Sequence, residues 1–531
     1  MTDTTTPAAR PLNLADVLEA MADSVPDRPA VKTIDRDYSY AELDQRSNRV
    51  ANHLLSLGVQ PGEHVAIHSH NRIEWVDAFY GVLKVRAVPI NINYKYLREE
   101  LEYLYDNSDA VAAIVGPEYA AAVEEVRTDR LRDIIVLDDD LAATLAETSA
   151  ERPDVQRSED DLYIVYTGGT TGNPKGVMWR NEDILKAALN AGRYGAPIES
   201  VEKLGEEAAA NENPMVIMAA GPMMHGGSQW IMGNAHVSGQ SIAFYTEHSF
   251  DAAKVLDLAA KSRTVSLAFL GDAMARPIAE AVMNEPERWD LSGLAALSNG
   301  AAPLSPAVRA ELYEAFPGKM ILDIFGSSEG GASGSHIDTG EGKPVRFSMT
   351  DEMEVLNADM QPAEVGERGM FAKTGHIPLG YYKDEAKTAT AFPQVNGRRW
   401  VMPGDFAQRE EDGSIILLGR GSVSINTGGE KVHPEEVEAV LKRHPGVFDA
   451  VVVGTPHPRW GQQVTALVHP RDGHEVTEQE LRDHCHALIA NYKVPKQIFV
   501  VSEVPRTPVS KVDYPASAAL AQELTQESVQ G

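Results

Sequence analysis

The feature that most constrains this chain is the alternation of short apolar runs with stretches of helical periodicity. Ser39-Tyr40-Ala41-Glu42 reads as a capping box, in which Ser39 and Glu42 satisfy each other's free amides at a helix start. Leu43, Val50, Leu54 and Leu57 then recur at helical spacing, and Gly58 closes the segment. Residues 64–67 read as a strand, 73–84 as a helix and 87–92 as a strand. The polar stretch 147–161 reads as a connecting loop, and residues 215–330 repeat the rhythm with strand-like runs over 215–220 and 264–270. An order of this kind favours a parallel sheet covered on both faces.

The pattern changes near the C-terminus. Pro434-Glu435-Glu436 opens a helix whose last turn is filled by Lys442, Arg443 and His444, and Pro445-Gly446 stops it. Strands over 448–454 and 462–469, a helix over 478–489 and a strand over 497–501 complete a small α+β unit. The boundary is expected at Gly419-Arg420-Gly421-Ser422, dividing the chain into 1–420 and 421–531. The tail beyond Leu520 has few core candidates and reads as disordered.

The chain has 531 residues, enough for three or four folding units at about 150 residues each. Its 78 acidic against 48 basic residues give a formal charge of −30, which argues against a broad grip on nucleic acid or anionic lipid. A polyanionic substrate must then be held by local amides, a few lysines or a metal ion. Cys485 is the single cysteine, so neither an internal disulfide nor a zinc cluster is available, and a reducing compartment fits. No apolar run approaches the ~18 residues of a membrane span. The start, Met-Thr-Asp-Thr-Thr-Thr-Pro, lacks the basic and apolar blocks of a secretion signal. A soluble, cytoplasmic protein is expected.

The strand-like run 162–166 ends in Thr167-Gly168-Gly169-Thr170-Thr171-Gly172-Asn173-Pro174-Lys175-Gly176. Glycines let the backbone approach an anion, threonine hydroxyls add donors and Lys175 adds a point charge. The chemistry implied is a cradle for a polyphosphate. It is not a Walker A loop, because Lys175 precedes its glycine and a strand-like Val177-Met178-Trp179 follows.

That segment resembles the signature loop of the adenylate-forming acyl-CoA synthetases, the superfamily shared with nonribosomal-peptide adenylation domains and beetle luciferases. Further motifs follow in the family's order. They are Asn299-Gly300-Ala301-Ala302-Pro303, Phe325-Gly326-Ser327-Ser328-Glu329, Gly404-Asp405, Gly419-Arg420, Gly428-Gly429-Glu430 and Pro505-Arg506-Thr507-Pro508-Val509-Ser510-Lys511. The similarity is finest to bacterial synthetases of fatty-acid and steroid side-chain degradation, through Met178-Trp179-Arg180, the run from Gly375 to Tyr382 and the run from Ile425 to Lys431.

The resemblance implies an α/β fold. It predicts two doubly wound α/β subdomains plus a distorted β-barrel, followed by a small mobile α+β domain carrying the catalytic lysine. It implies that a carboxylate attacks the α-phosphorus of ATP, and that coenzyme A then displaces AMP. Thr167, Gly168, Gly169, Thr170, Thr171, Gly172 and Lys175 would hold phosphates, and Glu329 would bind Mg²⁺ as a hard oxygen ligand. Asn299, Gly300, Ala301, Phe325, Gly326 and Ser328 would border adenine; Asp405 and Arg420 would reach the ribose. Phenylalanine stands where the family usually has tyrosine.

Lys511 would bridge the carboxylate and α-phosphate oxygens, and His225 would orient the acid or act as a gate. Met223, Met224, Gly226, Gly271, Asp272, Met274 and Ser298 would surround the acyl group; Gly428, Gly429 and Trp460 would line the coenzyme A tunnel. Two departures from the family pattern stand out. Ser510 replaces the glycine before the lysine, and Ser422 replaces the Asp or Lys of the hinge. Substrates are expected to be bulky or long apolar acids, and dimers are common in the family. Adenylation for a carrier protein, or a nucleotide-binding homologue impaired in turnover, remain as alternatives.

Overall fold

Four helices, Leu14–Ser24, Tyr40–Ser56, Ile73–Lys84 and Gly226–Val237, pack apolar side chains into a layer shared with two sheets, Ile73–Lys84 being buried almost all round. In that shared layer, Trp75, Tyr80, Tyr163, Trp179 and Phe244 are almost wholly removed from water. Each such side chain contributes on the order of 2 kcal/mol by burial. The structure is a computed structural model. It describes residues 10–167, 173–190, 196–300, 304, 306–338, 340, 345–420, 425–471, 473–505 and 514–530.

The seven-stranded sheet runs in the order Gly380–Tyr381, Lys175–Arg180, Leu162–Thr167, Val88–Asn91, His64–His68, Ala110–Val115, Asp133–Val136. It is parallel from Leu162–Thr167 to Asp133–Val136 and antiparallel at the other end. The eight-stranded sheet has Met320–Ser327, Ala296–Asn299, Ser266–Phe269, Val216–Ala219, Ser241–Phe244 and Pro29–Lys32 in parallel, with an antiparallel strand at each edge. These are the two α/β subdomains that the βαβ rhythm and the family resemblance imply. A third, five-stranded antiparallel sheet spans residues 347–420. A smaller C-terminal sheet combines Glu430–Val432, Ile425–Thr427, Gly461–Pro470, Val447–His457 and Gln497–Val500.

Two expectations are corrected. Ser39 does cap its helix, its hydroxyl accepting from the Glu42 amide at 3.2 Å, but the Glu42 carboxylate pairs with Arg36 at 2.7 Å instead of closing the box. The expected disordered tail is a helix, Tyr514–Gln530. Its Leu520, Ala521 and Leu524 pack on Val451, Val453, Leu467 and Val504 of the small sheet, so the few apolar residues suffice for docking. Among the described residues no helix is long and apolar enough to cross a membrane. Cys485 is buried in the small domain's core, where burial pushes its thiol up to about 12, in keeping with a packing role.

Candidate active site

The loop from Thr167 to Lys175 joins two antiparallel strands, with Thr167 paired to Lys175. Gly168, Gly169, Thr170, Thr171 and Gly172 lie outside the described residues, as do Ala301, Ser422 and Lys511. The Lys175 ammonium stands 5.0 Å from the centre of the Tyr381 ring, and the Tyr381 hydroxyl donates to Glu329 at 2.9 Å. The predicted phosphate lysine and the predicted metal carboxylate therefore meet across one tyrosine. Burial, and then repulsion from Lys387, lower the Lys175 pKa, while Glu329 and Asp384 oppose the shift.

Glu329 sits in the turn between Met320–Ser327 and Gly331–Asp338, and two side chains from outside fix that turn. The Trp179 indole donates to the Ser328 carbonyl at 3.0 Å. The Lys373 ammonium donates to the carbonyls of Gly330 and Ala332 at 3.0 and 2.8 Å. Lys373 is buried, and desolvation lowers its pKa to about 8. Gly331 takes φ +66°, and a Cβ there would meet the Ala187 carbonyl at 2.9 Å, so a side chain is excluded twice over. Phe325 is turned into the core, edge-on to Phe371 at 4.9 Å and tilted against Phe347 at 5.5 Å.

Asn299 ends its strand buried, its side-chain Oδ1 accepting from the Gly271 amide at 3.0 Å and its side-chain Nδ2 donating to Asp323 at 3.3 Å. It thereby ties the helix Gly271–Asn284 to the strand ends. Gly300 continues the strand, its amide bonded to the Phe269 carbonyl at 3.3 Å. The Ser298 hydroxyl faces its neighbour Ser266 at 2.9 Å, between strands. Asp405 and Arg420 are register partners in the third sheet.

The segment Gly221–His225 enters the helix Gly226–Val237, with His225 at its N-cap position. Two asparagines absent from the sequence reading hold it. Asn71 accepts from the Met223 amide at 2.7 Å, and Asn91 donates to the Met224 carbonyl at 2.6 Å while bonding both backbone groups of Tyr166. Gly226 lies so close to Val165 that a Cβ would approach its side chain to 2.9 Å. Met223 and Met224 are buried, with Met223 in the layer between the sheets, and Met274 is half-buried against the second subdomain's core.

The small domain reaches this place through the turn Gly428-Gly429-Glu430. Gly429 takes φ +87°, and a Cβ there would stand 3.0 Å from the Leu270 Cβ. Glu430 accepts from the Lys95 ammonium at 2.7 Å and stands 3.3 Å from His225 Nε2. Burial works to raise its pKa, but His225 and Lys95 overcome that and hold the carboxyl far below the usual range. The Gly428 amide bonds the Trp460 carbonyl at 3.2 Å, and the Trp460 indole stacks on His457 at 4.2 Å. Among the described residues no group of three or more His, Cys, Asp or Glu could hold a metal ion by itself.

Strand-end loops from two α/β subdomains, closed by a smaller α+β domain, form the kind of crevice in which open α/β sheets bind ligands. The chain belongs to the AMP-binding enzyme family, whose model matches residues 18–382, with the family's C-terminal domain matching 436–511. It is 43% identical over 95% of both chains to a medium/long-chain-fatty-acid–CoA/3-oxocholest-4-en-26-oate–CoA ligase of Mycobacterium marinum. Among solved structures, an o-succinylbenzoate CoA synthetase of Bacillus subtilis bound to a product analogue matches with a TM-score of 0.80 at 22% identity, over 95% of this chain and 98% of that one. An anthranilate CoA ligase in complex with anthranoyl-AMP matches at 0.68 and 24%, over 97% and 98%. At those identities the likeness is one of fold.

Proposed function

We infer that the chain is an ATP-dependent acid–CoA ligase. It adenylates a long-chain fatty acid or a steroid side-chain acid and passes the acyl group to coenzyme A, releasing AMP and pyrophosphate. The observation that carries this reading is the 43% identity, over 95% of both chains, with a ligase named for both classes of acid. Its site is proposed to act in the cytoplasm, and every residue invoked comes from one chain.

Carboxylate and ATP are both anionic, so the first half-reaction needs charge neutralised and two oxygens held in line. Lys175 and the amides of 168–172 would hold the phosphates. Glu329 fits a magnesium ion in donor type: a single hard carboxylate oxygen on a turn fixed by Trp179 and Lys373, leaving other positions to phosphate and water. Bound there, Mg²⁺ would supply positive charge to the phosphate oxygens. Lys511 would stabilise charge as the carboxylate adds to phosphorus. Asp405 and Arg420 would hold the ribose, and Asn299, Gly300, Ala301, Gly326 and Ser328 would border adenine beside the Phe325 edge. His225 would position the acid; it is not needed as a base, because a carboxylate is already ionised at pH 7.

Met223, Met224, Gly226, Gly271, Asp272, Met274 and Ser298 would surround the acyl group. Gly429, pressed against Leu270, together with Gly428 and Trp460 would guide the pantetheine arm, with Ser422 as the hinge between 1–420 and 421–531. The approach of the Gly428-Gly429-Glu430 turn to Leu270 and His225 supports reading this domain arrangement as the thioester-forming one.

Isotope exchange between pyrophosphate and ATP, run over short, aromatic, long-chain and steroid side-chain acids, tests the first half directly. Exchange is expected with the apolar acids and its loss in Lys511→Ala, with ATP affinity unchanged. Absence of exchange with every acid would remove the reading.

A further inference from the structure

Away from the substrate loop, a second cluster of buried charge crosses the seam between the domains. Lys493, from the small domain, donates to Glu100 of the large domain at 2.5 Å and to Glu436 of its own domain at 2.7 Å. The three side chains are 4%, 9% and 14% exposed, so they are nearly out of water. The rings of Tyr96 and Tyr492 stand 4.8 and 5.6 Å from the ammonium. Glu100 is preset by its own helix start, where its other oxygen accepts from the Leu97 amide at 2.9 Å. Glu436 lies in the first turn of Pro434–Arg443, just after the strand that begins with Glu430.

This cluster is continuous with the active site. The Lys95 ammonium stands 5.7 Å from the Tyr492 ring and bonds Glu430, which in turn meets His225. The Asn93 amide reaches the Tyr492 hydroxyl at 3.5 Å. The large-domain segment from Asn93 to Glu100 is thus a strip on which the small domain rests. Any rotation of the small domain parts Glu100 from Lys493, so the energy of that pair belongs to this orientation alone.

We propose that Glu100, Lys493 and Glu436 are positioning residues for the thioester-forming half-reaction, clamping the small domain in the orientation that presents Gly428-Gly429-Glu430 to the His225 loop. This rests on the ligase reading above. Removing the lysine leaves two carboxylates facing each other in a buried seam, which is far costlier than leaving a neutralised pair. Removing the Glu100 charge leaves Lys493 with Glu436, a smaller loss.

The test separates the half-reactions in the full-length protein. Lys493→Met is expected to slow acyl-CoA release from preformed adenylate about a hundredfold, and Glu100→Gln about tenfold. Pyrophosphate exchange should stay within about twofold in both, which also certifies that each variant folds. Exchanging the charges, Glu100→Lys with Lys493→Glu, should recover much of the thioester rate. Equal loss of exchange and thioester formation, or an unchanged thioester rate in Lys493→Met, overturns the clamp. Wild-type protein that makes no adenylate from any acid removes the ligase reading and the clamp together.

Discussion

Among the described residues the same buried motif occurs twice, one lysine between two carboxylates. Lys84 lies among the helices of the large domain, 2.8 Å from Glu19 and 2.6 Å from Asp44, with its side chain fully out of water. Lys493 lies across the domain seam with Glu100 and Glu436. The surroundings differ in charge. Arg157 bonds Glu19 at 2.7 Å, and Arg152 reaches Asp44 at 3.0 Å. Burial works to raise the Glu19 pKa, but Lys84, Arg157 and Arg152 overcome it and hold the carboxyl below its usual value. At the seam a single ammonium serves two carboxylates. Burial, reinforced by the Glu100 charge and only partly offset by Lys493, pushes Glu436 up to about 7. A network inside one domain stabilises the fold in every state; one split between domains stabilises an orientation.

The comparison breaks most visibly at Ser422, the proposed hinge. Ser422→Pro is expected to cut thioester formation about a hundredfold, because proline restricts the backbone rotation that docking needs, while adenylate formation persists. In that background Lys493→Met should add nothing further, since the docked orientation is already lost. A further loss, measured by rapid-quench release of acyl-CoA, would place Lys493 outside the docking step.

Next in size is Lys84→Met. It takes one cation from two buried carboxylates that keep Arg157 and Arg152, and should cost about 2 kcal/mol of unfolding free energy, read from denaturant melts. The ratio of thioester to adenylate formation should stay unchanged at temperatures where the variant is folded. A selective thioester defect in Lys84→Met would erase the distinction between the two networks.

The smallest expected effect is a pH dependence. Glu436 faces Lys493, Glu100 and the rings of Tyr96 and Tyr492. Docked, its pKa is about 7; released and exposed, it returns to 4.5. Between those values the docked state binds more protons, so docking is strongest at low pH, weakens as pH rises toward 7 and levels off above. Glu430 shifts the opposite way, but its effect lies at and below the ordinary carboxylate range. The thioester-to-adenylate ratio should therefore fall by up to about tenfold between roughly pH 6 and 7.5. Glu436→Gln should flatten that profile; an unaltered slope would show that another group governs it.

Much of this was legible in the sequence because period and turn chemistry are local. The strand at His64–His68, the helix Ile73–Lys84 and the helix Pro434–Arg443 stand within a residue of their expected bounds. Thr167, Lys175 and Glu329 were marked by their motifs, and the fold brings Lys175 and Glu329 to one tyrosine, Tyr381, that carried no signal of its own. Asn71 and Asn91 were invisible because their task is to satisfy a distant loop's backbone, and only folding reveals which loop. Lys493 and Glu100 are 393 positions apart, and a lysine in Asn491-Tyr492-Lys493-Val494-Pro495 looks like any solvated surface charge. The terminal helix was missed because its apolar side chains are few, yet Tyr514, Ala518, Leu520, Ala521 and Leu524 find one face of the small sheet.

One measurement bears most directly on the whole account. The purified protein would be incubated with ATP, Mg²⁺, coenzyme A and either a long-chain fatty acid or a steroid side-chain acid, and the products read by mass spectrometry. Acyl-CoA and AMP rising in equal amounts with one of those acids is the expected result. AMP or acyl-adenylate accumulating without any thioester at saturating coenzyme A would contradict the ligase assignment.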